Sequence, residues 1–151
     1  MNVILSLDDI SIHNIHFQES VKNTIMEGSD FIRIIYSNEL FSLNGLYIDF
    51  DLDTAYIEKY FNKYKHNLNK VSEKNINIIS RLSQLEKDIL DRINISDKKC
   101  PIYKISEHLQ SGNIKLFNES ILKDGVCKYL LKISGIWENE NEYGITFKFG
   151  E

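Results

Sequence analysis

The C-terminal segment, residues 128–151, restricts the possible folds more than any other part of the chain. Between Tyr143 and Phe149, aliphatic or aromatic residues occupy every second position, and small or polar residues occupy the others. This period of two indicates a β-strand with one buried face. The preceding run, residues 128–137, alternates less strictly, as a strand buried over much of both faces does. We therefore predict a β-hairpin around the polar loop ENENE, with a turn into it at residues 124–125 (Asp-Gly), in a domain rich in β-structure.

Length and composition place the chain in the class of folded domains. Its 151 residues predict a single domain, residues 1–151, which is long enough to bury a core without metals or disulfides. Hydrophobic residues make up 42% of the chain, too many for a disordered segment. The formal net charge of −4 argues against a purely electrostatic coat for nucleic acid, but it leaves a local basic groove open.

The residue bias and the first residues bear on where the protein acts. The chain is rich in Asn, Ile and Lys and has one Pro, a bias typical of AT-rich genomes, including those of many large DNA viruses. The N-terminus lacks the basic region and the long apolar run of a signal peptide, and no apolar run approaches the roughly 18 residues that a membrane span requires. We expect a soluble, intracellular protein, and for a viral protein the host cytoplasm, in a viral factory, or the virion.

The two cysteines, Cys100 and Cys127, have a spacing that matches no zinc motif. In an intracellular protein we expect both to be free thiols, because the cytosol keeps thiols reduced. The sequence alone leaves a disulfide between them open.

No motif in the chain predicts catalysis or a bound cofactor. The sequence has no phosphate-binding GxxxxGK[ST] loop, no GxGxxG fingerprint and no Ser–His–Asp order after a nucleophile elbow. Asp51 and Asp53 have the spacing to hold Mg²⁺ at a strand end, but a polar strand edge leading into a helix cap is the favoured interpretation. His13 and His16 would lie on opposite faces of a strand. We therefore expect a protein that is not an enzyme and has no metal and no cofactor.

The remaining segments predict a β-rich first third and helices in the middle. Strands are predicted at residues 12–17, 31–37, 40–52, 101–105 and 114–117. A helix is predicted at residues 55–68, where Tyr56, Tyr60 and Tyr64 recur every four residues, and a second helix at residues 76–93, where Ile and Leu recur near every 3.6 residues. The predicted fold class is α+β, with a mainly antiparallel sheet, two central helices and a C-terminal hairpin.

Aromatic residues interleaved with basic ones are the positive sign of function. Residues 54–74 hold five Lys and two Glu, a local charge of +3 in a chain that totals −4. Sequence-tolerant binding of a single strand requires aromatic faces between basic groups, because bases stack on the rings while Lys and Arg neutralise phosphates. The competing interpretation, with the rings in the core and the lysines on a solvated helix face, stays open. The candidate nucleic-acid-binding residues are Arg33, Tyr36, Tyr47, Lys59, Lys63, Lys132, Trp137 and Lys148.

The C-terminal hairpin also carries a resemblance to a known family. The sequence GIW at residues 135–137 is followed by YGIT at residues 143–146. This pattern resembles the G-x-W and G-[IL]-[ST] strands of the OB-fold single-stranded DNA-binding proteins of phages and large DNA viruses. The segments FQESVKN, FIRIIYS and LNGLYIDF resemble small proteins of unassigned or suggested DNA-binding role in nucleocytoplasmic large DNA viruses. The resemblance implies an OB-like, partly open barrel and a viral-type, non-enzymatic protein that binds single-stranded nucleic acid.

A second function class fits the same sequence. The acidic total charge favours a virion structural or assembly protein that binds other proteins, and homo-oligomerisation is left open. The acidic residues Glu138, Glu140 and Glu142, which follow Trp137, would repel phosphate. Even in the nucleic-acid interpretation, the hairpin is therefore expected to close the barrel more than to contact the ligand.

Overall fold

The computed structural model describes residues 3–25, 27–117 and 125–150. Within these ranges the chain forms eleven strands and two α-helices. The strands are β1 (Ile4–Ser6), β2 (Ile15–Phe17), β3 (Val21–Lys22), β4 (Asp30–Ser37), β5 (Ser42–Asn44), β6 (Leu46–Tyr60), β7 (Lys63–Leu68), β8 (Cys100–Ile102), β9 (Asn113–Leu116), β10 (Val126–Glu138) and β11 (Glu142–Gly150). The helices are α1 (Glu73–Arg92) and α2 (Lys104–Gln110), and two 3-10 turns cover Leu7–Asp9 and Ile12–Asn14.

The long strand β10 organises the sheet. Along one edge it pairs with β11 in the C-terminal hairpin, and along the other edge it pairs first with β6 and then with β4. The sheet continues from β6 to β7 and from β7 to β9, while β2, β3 and β5 pair with β4. All these ladders are antiparallel, and the short pairs of β1 with β6 and of β8 with β11 are parallel. The predicted α+β class with a mainly antiparallel sheet is confirmed.

The sheet curls without closing. Strands β9 and β11 approach each other with Cα atoms within 8 Å, whereas paired strands lie about 4.8 Å apart. No ladder joins β9 to β11 in the part of the chain that the structure describes. The result is an open, barrel-like sheet with a seam between β9 and β11, in agreement with the predicted partly open barrel.

Helix α1 covers the inner side of this sheet. Its buried residues, among them Ile89 and Leu90, share one core with the inward side chains of β6, β10 and β11. The helix begins after Ser72, whose hydroxyl accepts a hydrogen bond from the backbone N–H of Asn75. The helix predicted at residues 76–93 is confirmed, although it begins one turn earlier than the apolar pattern indicates.

Helix α2 replaces part of a predicted strand. The strand predicted at residues 101–105 is correct only as far as Ile102, because α2 begins two residues later. The fully buried Glu86 of α1 accepts hydrogen bonds from the backbone N–H groups of Ile105 and Ser106, at 2.8 and 2.9 Å, and from the Ser106 hydroxyl at 2.6 Å. A carboxylate of one helix therefore caps the N-terminus of the other, where backbone donors lack intrahelical partners.

The helix predicted at residues 55–68 is wrong. This stretch is the second part of β6, a turn and β7, and the two strands pair as an antiparallel hairpin. The turn residue Phe61 has a φ of 56°, and no glycine marks the turn in the sequence. Strand β7 also pairs with β9, so backbone hydrogen bonds on both sides hold it extended. This pairing overrides the four-residue spacing of the tyrosines, which are themselves good strand formers.

The other predicted strands have observed counterparts. The strand predicted at residues 12–17 becomes a 3-10 turn followed by β2. The strands β4, β5 with β6, and β9 correspond to residues 31–37, 40–52 and 114–117. The C-terminal hairpin is confirmed, and Phe149 is buried as its alternation predicts. The predicted turn at residues 124–125 lies partly outside the described residues, and Gly125 has a φ of 77°.

The cysteines and the helices test two general expectations. Cys100 is exposed and Cys127 is buried, and both are free thiols, as predicted. Neither helix in the described ranges combines the length and the apolar composition needed to cross a bilayer.

Candidate nucleic-acid interface

One face of the sheet carries most of the predicted binding residues. Side chains alternate along each strand between the core and the outer side. On β4, β6, β10 and β11, the outward positions include aromatic and basic residues that are exposed or half-buried. This surface is named the outer platform, and its members are Phe31, Arg33, Tyr47, Lys132, Trp137 and Lys148. All except Phe31 are predicted binding residues.

The strand register brings these side chains together. Lys132 on β10 lies between Tyr47 on β6 and Lys148 on β11, because the three are direct cross-strand neighbours. Further along β10, Trp137 is directly opposite Phe31 on β4. Side chains opposed in this way have Cβ atoms about 4.5–5.5 Å apart. The platform therefore consists of two clusters on the same face, one of Tyr47, Lys132 and Lys148 and one of Phe31, Arg33 and Trp137, which follow each other along β10.

Two glycines allow the large rings of the platform to lie close to the sheet. A Cβ atom at Gly135 would lie 2.7 Å from Cζ of Phe31, and a Cβ atom at Gly144 would lie 2.9 Å from Cζ2 of Trp137. The backbone carbonyl oxygen of Ile32 would lie closer still to the first of these Cβ atoms, and that of Ile102 would lie 2.9 Å from the second, so a side chain at either glycine would force both the ring and the neighbouring backbone to shift. The Phe31 ring and the Trp137 indole therefore lie over the neighbouring strands and are held there by packing.

Two of the three cations of the platform lie near aromatic rings, and none of the three has an acidic partner among the described residues. The Arg33 guanidinium is 5.9 Å from the ring centre of Phe31, and Nζ of Lys132 is 5.4 Å from that of Tyr47, both within the range of cation–π attraction. Among the described residues, neither of these groups nor Lys148 forms an ion pair with a carboxylate. The three positive charges are therefore free to meet an external anion.

Of the carboxylates near the platform, that of Asp49 is neutralised and that of Glu138 faces away, whereas Glu142 alternates with Gly144 and Lys148 on β11 and shares the platform's face. Asp49, on the outer side of β6, has its carboxylate 3.6 Å from Nζ of Lys128. Glu138 follows Trp137 on β10 and therefore lies on the opposite face, where its carboxylate is 3.4 Å from Nζ of Lys99. This ion pair weakens the repulsion of phosphate that the sequence predicts for the first residue of the ENENE loop.

Tyr36, a predicted binding residue, lies in the core. It alternates with Ile32 and Ile34 on the inner side of β4, and its ring is 1% exposed. Its hydroxyl accepts a hydrogen bond from the backbone N–H of Ser11 at 3.1 Å. The predicted contact with a ligand does not fit this position, because a ring enclosed by the core offers no face to a base. The alternation of FIRIIYS already places Tyr36 on the side opposite Arg33.

The two lysines predicted to flank the platform point to different sides. Lys59 and Lys63 are both exposed on the β6–β7 hairpin. Lys59 is the cross-strand neighbour of Tyr64, and Lys63 is that of Tyr60, so the two lysines lie on opposite faces of the hairpin. Nζ of Lys63 is 5.3 Å from the ring centre of Phe117, beside the seam. The two lysines therefore do not share a face, as residues four apart would on the helix predicted here.

The seam between β9 and β11 forms a groove that the sequence did not predict. The groove has a volume of about 520 Å³, and it is named the seam groove. Its main lining residues are His108, Lys115, Phe117, Phe147, Lys148 and Phe149. Lys148 also belongs to the outer platform, so the two surfaces are continuous.

The electrostatics of the seam groove depend on its lysines. Burial lowers the pKa of the His108 imidazole from its ordinary value of 6.5, and the nearby charge of Lys115 lowers it further. The imidazole is therefore neutral at pH 7 and offers one donor and one acceptor nitrogen. At pH 7 the positive charges of the groove are therefore those of Lys115 and Lys148.

The candidate metal ligands of the sequence have structural roles. Within the described ranges, no three His, Cys, Asp or Glu side chains come together in a way that would hold a metal ion. The Asp53 carboxylate accepts a hydrogen bond from the hydroxyl of Ser72, which caps α1. Asp51 lies directly opposite Lys128 on β10. The polar end of β6 is therefore next to a helix cap, as the sequence predicts. The capped helix is α1, however, and not the helix predicted at residues 55–68.

In comparisons with known proteins, no family model, no curated protein and no solved structure matches this chain. The functional interpretation therefore rests on the geometry of the outer platform and the seam groove.

Proposed function

We propose that this protein binds single-stranded nucleic acid without catalysing a reaction, as a viral-type protein of the host cytoplasm. The outer platform carries the proposal, because it combines three aromatic rings with three cations on the same face of the sheet. Bases would stack on the rings, and phosphates would contact Arg33, Lys132 and Lys148.

The rings favour a single strand over a duplex. Phe31, Tyr47 and Trp137 are half-buried and sit on the surface of a sheet. A single strand offers the faces of its bases to such rings, whereas a duplex keeps them inside its own stack. Each stacked base contributes about 1–3 kcal/mol, and every base has such a face. We therefore expect binding that tolerates many sequences.

The charge distribution supports the same ligand. The chain as a whole carries a formal charge of −4, while the three cations of the platform have no acidic partner within the described residues. A basic patch on an acidic body attracts phosphates locally and limits non-specific attraction elsewhere. Binding of this kind weakens as salt rises, because each neutralised phosphate releases counterions.

The family resemblance supports the proposal through particular residues. The motifs GIW and YGIT contain Gly135 and Gly144, the two positions over which Phe31 and Trp137 lie. In this chain, the glycines of the motifs have a physical role, since they make room for the rings that would stack on bases.

A structural or assembly protein that binds other proteins is the second candidate function. The tip of the β6–β7 hairpin favours it, because Phe61 is 84% exposed and Tyr60 is 60% exposed. Their rings pack edge to face with centres 4.9 Å apart. A projecting aromatic pair of this kind fits a pocket on a protein partner. This candidate predicts assembly in light scattering and no salt-dependent affinity for nucleic acid.

A fluorescence-anisotropy titration with a labelled single-stranded oligonucleotide of mixed sequence tests the proposal. At low salt and micromolar protein, we expect saturable binding that Lys132→Ala and Trp137→Ala both weaken. The matched control is Lys98→Ala, which removes an exposed lysine from the loop before β8 and should leave the affinity unchanged. An absence of binding by the wild-type protein under these conditions would refute the proposal.

A further inference from the structure

The seam groove has the components of a nucleotide site on both of its walls. Lys115 lies on β9 and Phe117 directly follows that strand, and both are exposed and line the groove together with Lys148, which lies on β11 across the seam. His108 of α2 packs against the wall formed by β11, with its ring centre 5.0 Å from that of Phe149 and 6.3 Å from that of Phe147.

We propose that the seam groove binds one nucleotide of the same single strand that lies on the outer platform. The base would stack on Phe117, and the phosphate would lie between Lys115 and Lys148. This inference rests on the proposed function and adds to it a second contact region and a path for the strand.

Size and access both suit one nucleotide. The groove's volume of about 520 Å³ lies within the roughly 300–1,000 Å³ of sites that take small molecules. It lies along the seam, where no ladder joins β9 to β11 in the described chain. Phe117 is 61% exposed, so a base can reach its ring, and Lys63 lies beside that ring with Nζ 5.3 Å from its centre.

The charges of the groove select an anion. Neither Lys115 nor Lys148 forms an ion pair with a carboxylate among the described residues. The neutral imidazole of His108 can add a hydrogen bond to a base or a phosphate without changing the charge. An aromatic ring beside two unpaired cations fits a nucleotide better than it fits an uncharged apolar segment.

The position of Lys148 gives the strand a continuous path. Lys148 is the direct neighbour of Lys132, which is the direct neighbour of Tyr47. A strand that crosses β10 on the platform therefore reaches β11 at Lys148, and Lys148 also lines the groove. The path runs across the strands of the sheet from β6 over β10 and β11 to the seam.

The double variant Lys115→Ala with Phe117→Ala tests this inference. Both residues are exposed, so we expect the variant to fold, and equal thermal melting of variant and wild type checks this. Loss of one stacked base predicts an oligonucleotide affinity about 5-fold to 150-fold weaker, and loss of one phosphate contact predicts a salt slope smaller by about 0.7. Lys98→Ala should show neither change.

The two proposals fail in different ways. If the wild-type protein binds and Trp137→Ala weakens binding while the seam variant binds like the wild type, the groove inference is wrong and the platform stands. If the wild type does not bind, both proposals fall.

Lysine acetylation, read by mass spectrometry on the wild-type protein, provides a test that needs no variant. Saturating oligonucleotide should protect Lys115 and Lys148 and leave Lys98 reactive. Protection of Lys132 and Lys148 without protection of Lys115 would overturn the groove inference.

Discussion

At the scale of single residues, the side of a strand decides what an aromatic ring can do. Tyr36 and Tyr47 lie on neighbouring parts of the chain and have the same chemistry. Tyr36 faces the core and is enclosed, whereas Tyr47 faces outward beside Lys132. On the helices, burial separates charged residues in a similar way, since Glu86 of α1 is buried and Glu107 of α2 is exposed. Burial determines which of these residues stabilise the fold and which can bind a ligand.

Replacing the buried carboxylate of Glu86 should destabilise the protein. In Glu86→Ala, two backbone N–H groups at the start of α2 and the hydroxyl of Ser106 lose their acceptor. We expect the free energy of unfolding to fall by about 3 kcal/mol, measured by urea denaturation. Glu107→Ala, at an exposed position of α2, should change it by about 0.5 kcal/mol or less. Equal stabilities of the two variants would contradict the assigned role of Glu86.

Removing the imidazole of His108 should alter how stability depends on pH. Burial and Lys115 hold the pKa of His108 below 6.5 in the folded state. As the pH falls through about 6.5, the unfolded state takes up this proton first, so the free energy of unfolding decreases. His108→Gln lacks this contribution and should lose less stability than the wild type between about pH 7.5 and pH 5.5. Parallel stability curves, measured by denaturation across that range, would show that the pKa is not lowered.

At the scale of elements, the local sequence pattern predicted the secondary structure correctly where the residues that form the pattern also pack together in the core. The helix predicted at residues 76–93 is observed as α1, Glu73–Arg92, because one stripe of apolar residues meets one core. Residues 55–68 have a helical spacing of tyrosines, yet they pair as strands with β9 and with each other. Helix α2 was missed because its N-terminus is held by Glu86, a residue of another element. In both the β6–β7 hairpin and α2, contacts with residues distant in sequence decide the secondary structure. A local sequence pattern carries no information about such contacts.

The turn of the β6–β7 hairpin is strained at Phe61. Its φ of 56° costs a residue with a Cβ atom about 1 kcal/mol, a cost that glycine escapes. Phe61→Gly should therefore have a free energy of unfolding about 1 kcal/mol higher than Phe61→Ala, measured by urea denaturation. Both variants lose the ring contact with Tyr60, so their difference isolates the backbone. A result in which the alanine variant is as stable as the glycine variant would disprove the strain.

At the scale of the whole molecule, the site depends on which strands become neighbours. The alternation along each strand predicts which residues face outward, and it did so for Arg33 and Lys148. It does not predict that β4, β6 and β11 all flank β10, nor that β9 and β11 leave an open seam. Lys115 and Phe117 were therefore missed, although their spacing in the strand predicted at residues 114–117 would place them on one side. The acidic total charge also hides the local basic surface that the fold assembles.

The intrinsic fluorescence of Trp137, the single tryptophan of the chain, tests the central claim most directly. A base that stacks on the platform changes the surroundings of this indole, so titration with an unlabelled single-stranded oligonucleotide at low salt should quench its emission in a saturable way. High salt should reverse the quenching, because phosphate contacts weaken as counterions compete. Lys132→Ala should shift the titration to higher oligonucleotide concentrations. Emission that stays unchanged up to micromolar protein and excess oligonucleotide would contradict the claim that the outer platform binds single-stranded nucleic acid.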